Sequence, residues 1–298
     1  HGGDRAVGAQ RAAGAAGGCH RGAVMRLGIF AKTFAGDDPG NVLAAARAAG
    51  FACVQYNMAC SGLSAMPDDV PAAVAAAVRA ASAQTGVAGA AVSGNYNMIH
   101  PDVAARAAGL RRLAVLIAAA GAMGTGMVTL CTGTRDAQDQ WRHHPDNASA
   151  AAWRDLRAEM AKAAGLAEAA GVRLGIEPEL ANVVDSAAAA RRLIDEIASP
   201  SLAVVLDPAN LFEVACAASR RDLVARAVDL LADRIVMAHA KDRDAAGGFA
   251  PAGQGVIDFA HFLDCLRAAG FDGDLVAHGL TEAEAPGVAA FLAGLAAR

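Results

Sequence analysis

Short apolar runs alternate with Ala-rich stretches of helical spacing from Met25 to the end of the sequence. Eight runs are apolar at successive positions instead of alternating, which is typical of strands buried on both faces. They are residues 26–32, 51–57, 87–94, 127–133, 172–179, 202–208, 234–242 and 274–280. Several of the helical stretches between them end in glycine, which favours a helix C-terminus. The pattern therefore predicts a repeated βα unit with parallel strands.

Eight βα units predict an α/β protein with the (β/α)8 barrel fold, whose usual size is about 250 residues. We assign residues 25–298 to one such domain because no long Ser, Pro or Gly linker divides them. A doubly wound open sheet is the competing fold. It normally carries a Gly-rich phosphate turn, but GAMGTG at residues 121–126 matches neither GxGxxG nor GxxxxGK[ST]. The barrel is therefore the favoured fold.

Composition narrows the class of protein. The chain is 55% hydrophobic and 19% charged, so that it can bury one large core, and no stretch approaches the roughly 20 apolar residues of a membrane span. Its 26 basic and 30 acidic residues give a net charge of −4 without a basic cluster, which argues against nucleic-acid binding. The six cysteines lack CxxC spacing, as expected for reduced thiols in the cytoplasm. We expect a soluble protein with a small-molecule partner, and a homo-oligomer is left open.

Residues 1–24 are treated separately. They are rich in Gly, Ala and Arg and lack the apolar segment of a signal peptide. A transit peptide would share the Arg-rich composition. A sequence that opens with His1 is more typical of vector-derived residues or a misassigned start. We expect these residues to be a tail outside the barrel.

Polar residues gather at the carboxyl ends of the predicted strands, which form the active face of such barrels. Glu177, Asp207, His239 and His278 follow or end runs five to eight, which are neighbours in the barrel. Two carboxylates and two imidazoles suit Mn, Co, Zn or Fe better than Ca. Each residue taken alone could equally cap a helix or pair with an arginine, but four together favour a divalent metal site.

These residues carry a resemblance to a known family. The segments GVRLGIEPE with Glu177, VVLDPAN with Asp207, HAKD with His239, GQGVIDF and FDGDLVAHGL occur in the order and spacing of the sugar phosphate isomerase/epimerase family, the xylose isomerase-like barrels. The resemblance implies one divalent ion (Mn, Co, Mg or Zn, with Mn or Co favoured) held by Glu177, Asp207 and His239. The fourth ligand position, commonly Glu in that family, is His278 here.

The resemblance also implies a reaction. Family epimerases use their first and last metal-bound glutamates as acid and base on opposite faces of the substrate, so we expect a sugar or sugar-phosphate isomerase or epimerase that transfers a proton through a metal-stabilised enediolate. Glu177 is the expected base. His278 is either the fourth ligand or, if unligated, the second base, because a nitrogen bound to a metal has no lone pair left for a proton.

Other functions stay open at this point. A metal-dependent sugar or polyol dehydratase fits the missing second glutamate, and a non-catalytic sugar-binding barrel fits the two departures at His278 and Asn210. An endonuclease of the three-zinc type is disfavoured because the strand ends supply too few histidines and the protein lacks a basic surface.

Further candidates for substrate binding lie near the same strand ends: Asn210, Lys241, Glu179, Asn97, His100 and Arg135. Asn210 occupies a position where the family often has a substrate-contacting His. Glu179 follows Glu177 by two residues and is interpreted as supporting the site or binding substrate. His100 could instead cap the helix near Asp102, and Arg135 could instead pair with a nearby aspartate. Trp141 and Trp153 are interpreted as packing residues.

Overall fold

The computed structural model describes residues 25–297, so the predicted tail at residues 1–24 lies outside the described residues. Eight strands form one closed parallel sheet. They are β1 (Arg26–Phe30), β2 (Cys53–Tyr56), β3 (Ala88–Ser93), β4 (Met127–Leu130), β5 (Arg173–Ile176), β6 (Leu202–Leu206), β7 (Ile235–Arg243) and β9 (Asp274–Ala277). The short strand β8 (Phe249–Pro251) is not one of the barrel strands. Each pairs with the next, and β9 pairs with β1, with Gly28 opposite Val276, which closes the barrel.

Eight helices surround the sheet and alternate with its strands. They are α1 (Pro39–Ala48), α2 (Ala72–Thr85), α3 (Val103–Met123), α4 (Ala150–Ala170), α5 (Ala187–Ile197), α6 (Ala217–Leu231), α7 (Phe259–Ala268) and α8 (Ala285–Ala296). Asp38, Asp102, Ser149, Ser186 and Asp258 cap five of the helices through side-chain oxygens. The predicted single-domain (β/α)8 barrel is confirmed.

The sequence pattern missed one strand. β8 (Phe249–Pro251) pairs antiparallel with the end of β7, where Arg243 lies opposite Phe249. The resulting hairpin extends above the carboxyl ends of the barrel strands. Its turn is held by Asp244, whose carboxylate accepts hydrogen bonds from the backbone amides of Ala246 and Gly248 at 2.8 and 2.9 Å.

Apolar side chains fill the space between sheet and helices, and a separate apolar cluster fills the barrel interior. Cys53, Met127, Val205 and Met237 form an interior cluster that is almost fully buried. Gly28 faces this cluster, and a Cβ there would come within 2.6 Å of the Cys53 sulfur. This cluster fills the middle of the barrel, and polar side chains lie at both of its ends, among them Arg26 and Asp274 at the amino-terminal end. No helix within residues 25–297 has the length and hydropathy needed to cross a membrane.

Candidate active site

Three of the four predicted metal ligands converge at the carboxyl end of the barrel. Glu177 follows β5, Asp207 follows β6 and His239 lies on β7, and these strands are neighbours. One donor atom from each residue lies within 4.8 Å of the other two. Asp207 also caps the short 3-10 helix Pro208–Asn210, because its Oδ1 accepts a hydrogen bond from the amide of Ala209 at 2.9 Å. This contact leaves Oδ2 facing the site.

Gln55 on β2 sets the orientation of the His239 ring. Its amide nitrogen donates to the hydroxyl oxygens of Ser93 and Thr129 at 3.0 and 3.3 Å. The amide oxygen therefore faces His239 Nε2, which lies 2.8 Å away and donates a hydrogen bond to it. His239 Nδ1 is directed toward Glu177 Oε1 at 3.2 Å. A histidine fixed through one nitrogen presents the other nitrogen in a defined direction, as in metal sites.

Two buried cations balance the carboxylates. Lys241 Nζ lies 2.9 Å from Asp207 Oδ2. Burial lowers the pKa of His239, but Glu177 and Asp207 outweigh burial and raise this pKa to about 9. Burial raises the pKa values of Glu177 and Asp207, yet the charges of His239 and Lys241 leave both below their ordinary values. Without a metal, the four groups form a charged network with no net charge.

His278 lies beside this network and not within it. It falls outside the set of described residues whose donor atoms share the 4.8 Å range. Its ring stacks on Phe30 and His239, with centroid distances of 4.7 and 5.3 Å. Within residues 25–297 the buried Nδ1 has no hydrogen-bond partner. Burial and the charge of His239 lower the pKa of His278 to about 4, so the imidazole is neutral near pH 7.

Asn210 connects the two glutamates that follow β5. Its amide nitrogen donates to Glu177 Oε1 at 2.8 Å and to Glu179 Oε2 at 2.7 Å. Glu179 thus shares the site, as expected from its spacing. Burial, followed by the nearby Glu177 charge, raises the pKa of Glu179 to about 7. One amide group therefore holds two carboxylates with different proton affinities side by side.

Glu177, Glu179, Lys241 and His278 line a cavity of about 510 Å³ at the carboxyl face of the barrel, and the buried Asp207, His239 and Asn210 lie behind this lining. Its deep end is polar and includes Gln55, Glu177, Glu179, Lys241 and His278. A cavity of this size, with few convergent polar groups, is typical of a small-molecule site. Its position at the carboxyl ends of the strands is that of the active sites of such barrels.

Asn97, His100 and Arg135 lie at the same face but are not among the residues that line the cavity. Asn97 accepts a hydrogen bond from the amide of Thr134 at 3.0 Å, and His100 Nε2 lies 3.1 Å from the carbonyl oxygen of Ala137. Arg135 pairs at 2.6 Å with Asp155, and not with the nearer aspartates in sequence. All three stabilise the loop between β4 and α4.

The cavity also includes residues to which the sequence analysis gave no site role. Trp141, interpreted as a packing residue, is 50% exposed and lines the cavity, as do Phe249 and Lys32. Trp153 does pack: its indole N–H donates to Glu196 at 2.9 Å. Lys32 carried a usable signal, since it is one of three lysines in the chain and follows a predicted strand. Trp141 carried none, because a loop sequence does not show which way its side chain faces.

The residues present fit a divalent cation. Two carboxylates and an imidazole are a common donor set for such ions. Within residues 25–297, Asp207 Oδ2 has no hydrogen bond of good geometry, although the Lys241 ammonium is close. A cation at this position would take over the charge compensation that Lys241 and His239 otherwise supply. The three-residue set leaves further coordination positions open toward the cavity, as catalytic sites require.

The chain belongs to the xylose isomerase-like TIM barrel family, whose model matches residues 43–289. This agrees with the resemblance found in the sequence. No curated protein matches the sequence.

Solved structures share the fold. A 3-keto-D-glucoside 4-epimerase from E. coli is 18% identical, with a TM-score of 0.71 over 92% of this chain and 100% of that one. An L-ribulose 3-epimerase is 22% identical, with a TM-score of 0.72 over 92% and 95% of the two chains. A xylose isomerase-like TIM barrel protein from Mycobacterium smegmatis in complex with magnesium is 14% identical, with a TM-score of 0.63 over 86% and 87%.

Proposed function

We propose that the protein is a divalent-metal-dependent isomerase or epimerase of sugars or sugar phosphates. The observation that carries this proposal is the convergence of Glu177, Asp207 and His239 at the carboxyl ends of three neighbouring strands, where Glu177 also lines the cavity. Two of the structural neighbours are named as sugar epimerases, and a third is in complex with magnesium, which supports the same chemistry. The native ion and the cytoplasmic location stay predictions.

Glu177, Asp207 and His239 would hold the ion, with Mn or Co favoured. A bound divalent cation would polarise the oxygens of a ketose and acidify the C–H bond beside the carbonyl group. Glu177 is then the proton acceptor in this proposal. Its lowered pKa makes Glu177 a weak base. Hydrogen bonds with Asn210 and His239 hold its carboxylate in place, so in this proposal the positioning of Glu177 supplies much of the rate.

His278 is the candidate for the second proton-transfer group. It lines the cavity, it is neutral near pH 7, and its Nδ1 has no partner among the described residues. Its place outside the donor set of Glu177, Asp207 and His239 favours the role of an unligated base over that of a fourth ligand. Glu179 and Lys241 line the same cavity and are proposed to bind the substrate, and Asn210, which donates to both glutamates, is proposed to orient them toward it.

The test is proton exchange. D-Fructose is incubated with the protein and Mn²⁺ in D2O, and NMR follows deuterium at the carbons beside the carbonyl and the appearance of an epimer or aldose. Exchange is expected with the wild type and lost in Glu177→Gln, whereas the exposed Glu213→Gln serves as a matched control. Equal exchange in both variants would overturn the role of Glu177. Because D-fructose is one ketose among many, D-xylulose and D-fructose 6-phosphate are tested in parallel.

A dehydratase is the second candidate. The observation that favours a dehydratase is that His278 follows β9, at the position where an epimerase with two glutamates would need the second one. An elimination needs one base only: Glu177 would take the C–H proton and return it to the leaving hydroxyl group, which departs as water. The same NMR experiment separates the two, because elimination gives deuterium exchange together with the loss of one hydroxyl group as water.

A further inference from the structure

Two half-exposed aromatic side chains line the cavity. Trp141 comes from the loop between β4 and α4, and Phe249 comes from the β7–β8 hairpin. They are 50% and 53% exposed, and both line the same cavity as Glu177. Other exposed apolar side chains of residues 25–297, such as Leu230 and Phe291, do not line it. Trp141 and Phe249 are therefore exposed aromatic side chains that line one and the same cavity.

The loop that carries Trp141 is well ordered by hydrogen bonds. The amide of Trp141 donates to the Asp139 carboxylate at 2.9 Å, and Asp136 accepts two hydrogen bonds from Arg142 at 2.6 and 2.8 Å. Arg135 fixes the start of the loop to Asp155. The indole is thus placed by a braced backbone, as expected for a preformed binding surface.

Phe249 is fixed in a comparable way from the opposite loop. The Lys241 ammonium and the Arg243 guanidinium each lie 4.3 Å from its ring centroid, a cation–π distance. The Asp244 turn holds the hairpin behind it. Phe249 nevertheless keeps half of its surface exposed. Aromatic side chains that line a pocket are typical of small-molecule sites.

The volume of the cavity exceeds that of one sugar ring. At roughly half the 30 Å³ that each water takes up in the liquid, the dozen non-hydrogen atoms of a hexose fill about 200 Å³. The cavity measures about 510 Å³. A ring bound beside Glu177 therefore leaves space of similar size within the cavity that Trp141 and Phe249 line.

We propose that Trp141 and Phe249 form an outer subsite for a second ring, so that the preferred substrate is a glycoside and not a free monosaccharide. This inference rests on the proposed function for the deep end of the cavity. Either a pyranose or an aromatic aglycone could be the second ring, because both have an apolar face that packs on exposed aromatic side chains. The polar groups at Glu177 and Glu179 bind the reacting ring.

The experiment uses the fluorescence of Trp141. The chain has two tryptophans, so Trp153→Phe leaves Trp141 as the single reporter. Two matched pairs of probes are titrated with and without Mn²⁺: D-fructose against isomaltulose, and methyl against phenyl β-D-glucoside. We expect the two-ring member of at least one pair to shift the emission of Trp141 and to bind about three to ten times more tightly than its one-ring partner. The pair with the larger gain identifies the kind of second ring.

Variants then locate the gain. With affinities measured by calorimetry, Trp141→Ala should remove the advantage of the two-ring probe and leave the affinity for the one-ring probe unchanged. Phe249→Leu should reduce the advantage, although its ring also contacts Lys241. Phe291→Leu, on the exposed face of α8, is the control and should retain the advantage. Equal affinities within both pairs, or variants that weaken both members of a pair to the same extent, would overturn the subsite.

The outcome is separable from that of the proposed function. If no ketose exchanges deuterium while a two-ring probe still binds more tightly through Trp141, the subsite stands and the isomerase proposal fails. If D-fructose exchanges rapidly and neither pair shows a gain, the isomerase proposal stands and the subsite is overturned.

Discussion

The ammonium group of Lys241 lies 2.9 Å from Oδ2 of Asp207, and both side chains are almost fully buried. Asp207 is also one of the three proposed metal ligands. A buried carboxylate needs a positive partner, because leaving it uncompensated is costly. Lys241 thus supplies to the metal-free site the charge that a divalent cation would supply, and the two compete for one oxygen atom.

Replacing Lys241 by Met should expose this competition. The metal-free variant retains a buried Asp207 without its counter-charge, and its free energy of unfolding should fall by about 3 kcal/mol. Mn²⁺ should then raise the melting temperature of the variant more than that of the wild type. Thermal melts with EDTA and with Mn²⁺ measure both effects. Lys162→Met is the control, since Lys162 lies on α4 outside the cavity and its removal should leave the response to Mn²⁺ unchanged.

Metal binding itself should stabilise the wild type and depend on Asp207. An ion that binds only the folded state at a hundred times its dissociation constant adds about 2.7 kcal/mol to the free energy of unfolding. We expect the melting temperature of EDTA-stripped protein to rise with Mn²⁺ concentration, and this rise should vanish in Asp207→Asn. Asp222→Asn, an exposed residue of α6, should respond like the wild type. A full response in Asp207→Asn would argue against the site.

The barrel was predictable because its signal is repeated eight times. Each buried strand is an apolar run, and the carboxyl ends of parallel strands meet at one face, so Glu177, Asp207 and His239 could be placed together before any coordinates. The β8 strand carried no such signal. It has three residues after two glycines, and its pairing depends on the Asp244 turn.

The finer details of the site depend on side-chain directions that a sequence pattern does not contain. Asn95 lines the cavity, whereas Asn97 forms a hydrogen bond with the loop between β4 and α4. Residues two apart face the same side only within a strand, and β3 ends at Ser93. His278 was placed at the correct strand end, but its ring direction follows from its stacking on Phe30. Local pattern gives the position of a residue, while packing gives its orientation.

The stability of the metal-free protein should depend on pH through Glu179. Burial and the Glu177 charge raise the pKa of Glu179 from 4.5 to about 7 in the folded state. The folded state therefore binds this proton more strongly, and the resulting stability is complete below pH 4.5 and is lost as pH rises through 7. At 1.36 kcal/mol per unit, the wild type should lose about 3 kcal/mol across this window relative to Glu179→Gln.

Chemical denaturation of both proteins in EDTA, at steps from pH 4.5 to 8, measures the difference. Subtracting the variant cancels the groups that titrate in both. Glu282→Gln, an exposed acid near α8, should keep the wild-type profile. Parallel curves for wild type and Glu179→Gln would show that Glu179 ionises normally.

His278 should give a pH dependence of the opposite sign. Burial and the His239 charge lower its pKa from 6.5 to about 4, so between these values the unfolded state binds more protons than the folded state. Its contribution is complete above pH 6.5 and is lost as pH falls through 4, amounting to about 3 kcal/mol. Relative to His278→Asn, the metal-free wild type should therefore lose stability on acidification, and His144→Asn, on the exposed loop, should behave like the wild type. A wild-type curve parallel to that of His278→Asn would mean that the imidazole is already solvated or charged in the folded state, and would remove the main support for a neutral proton-transfer group beside Glu177.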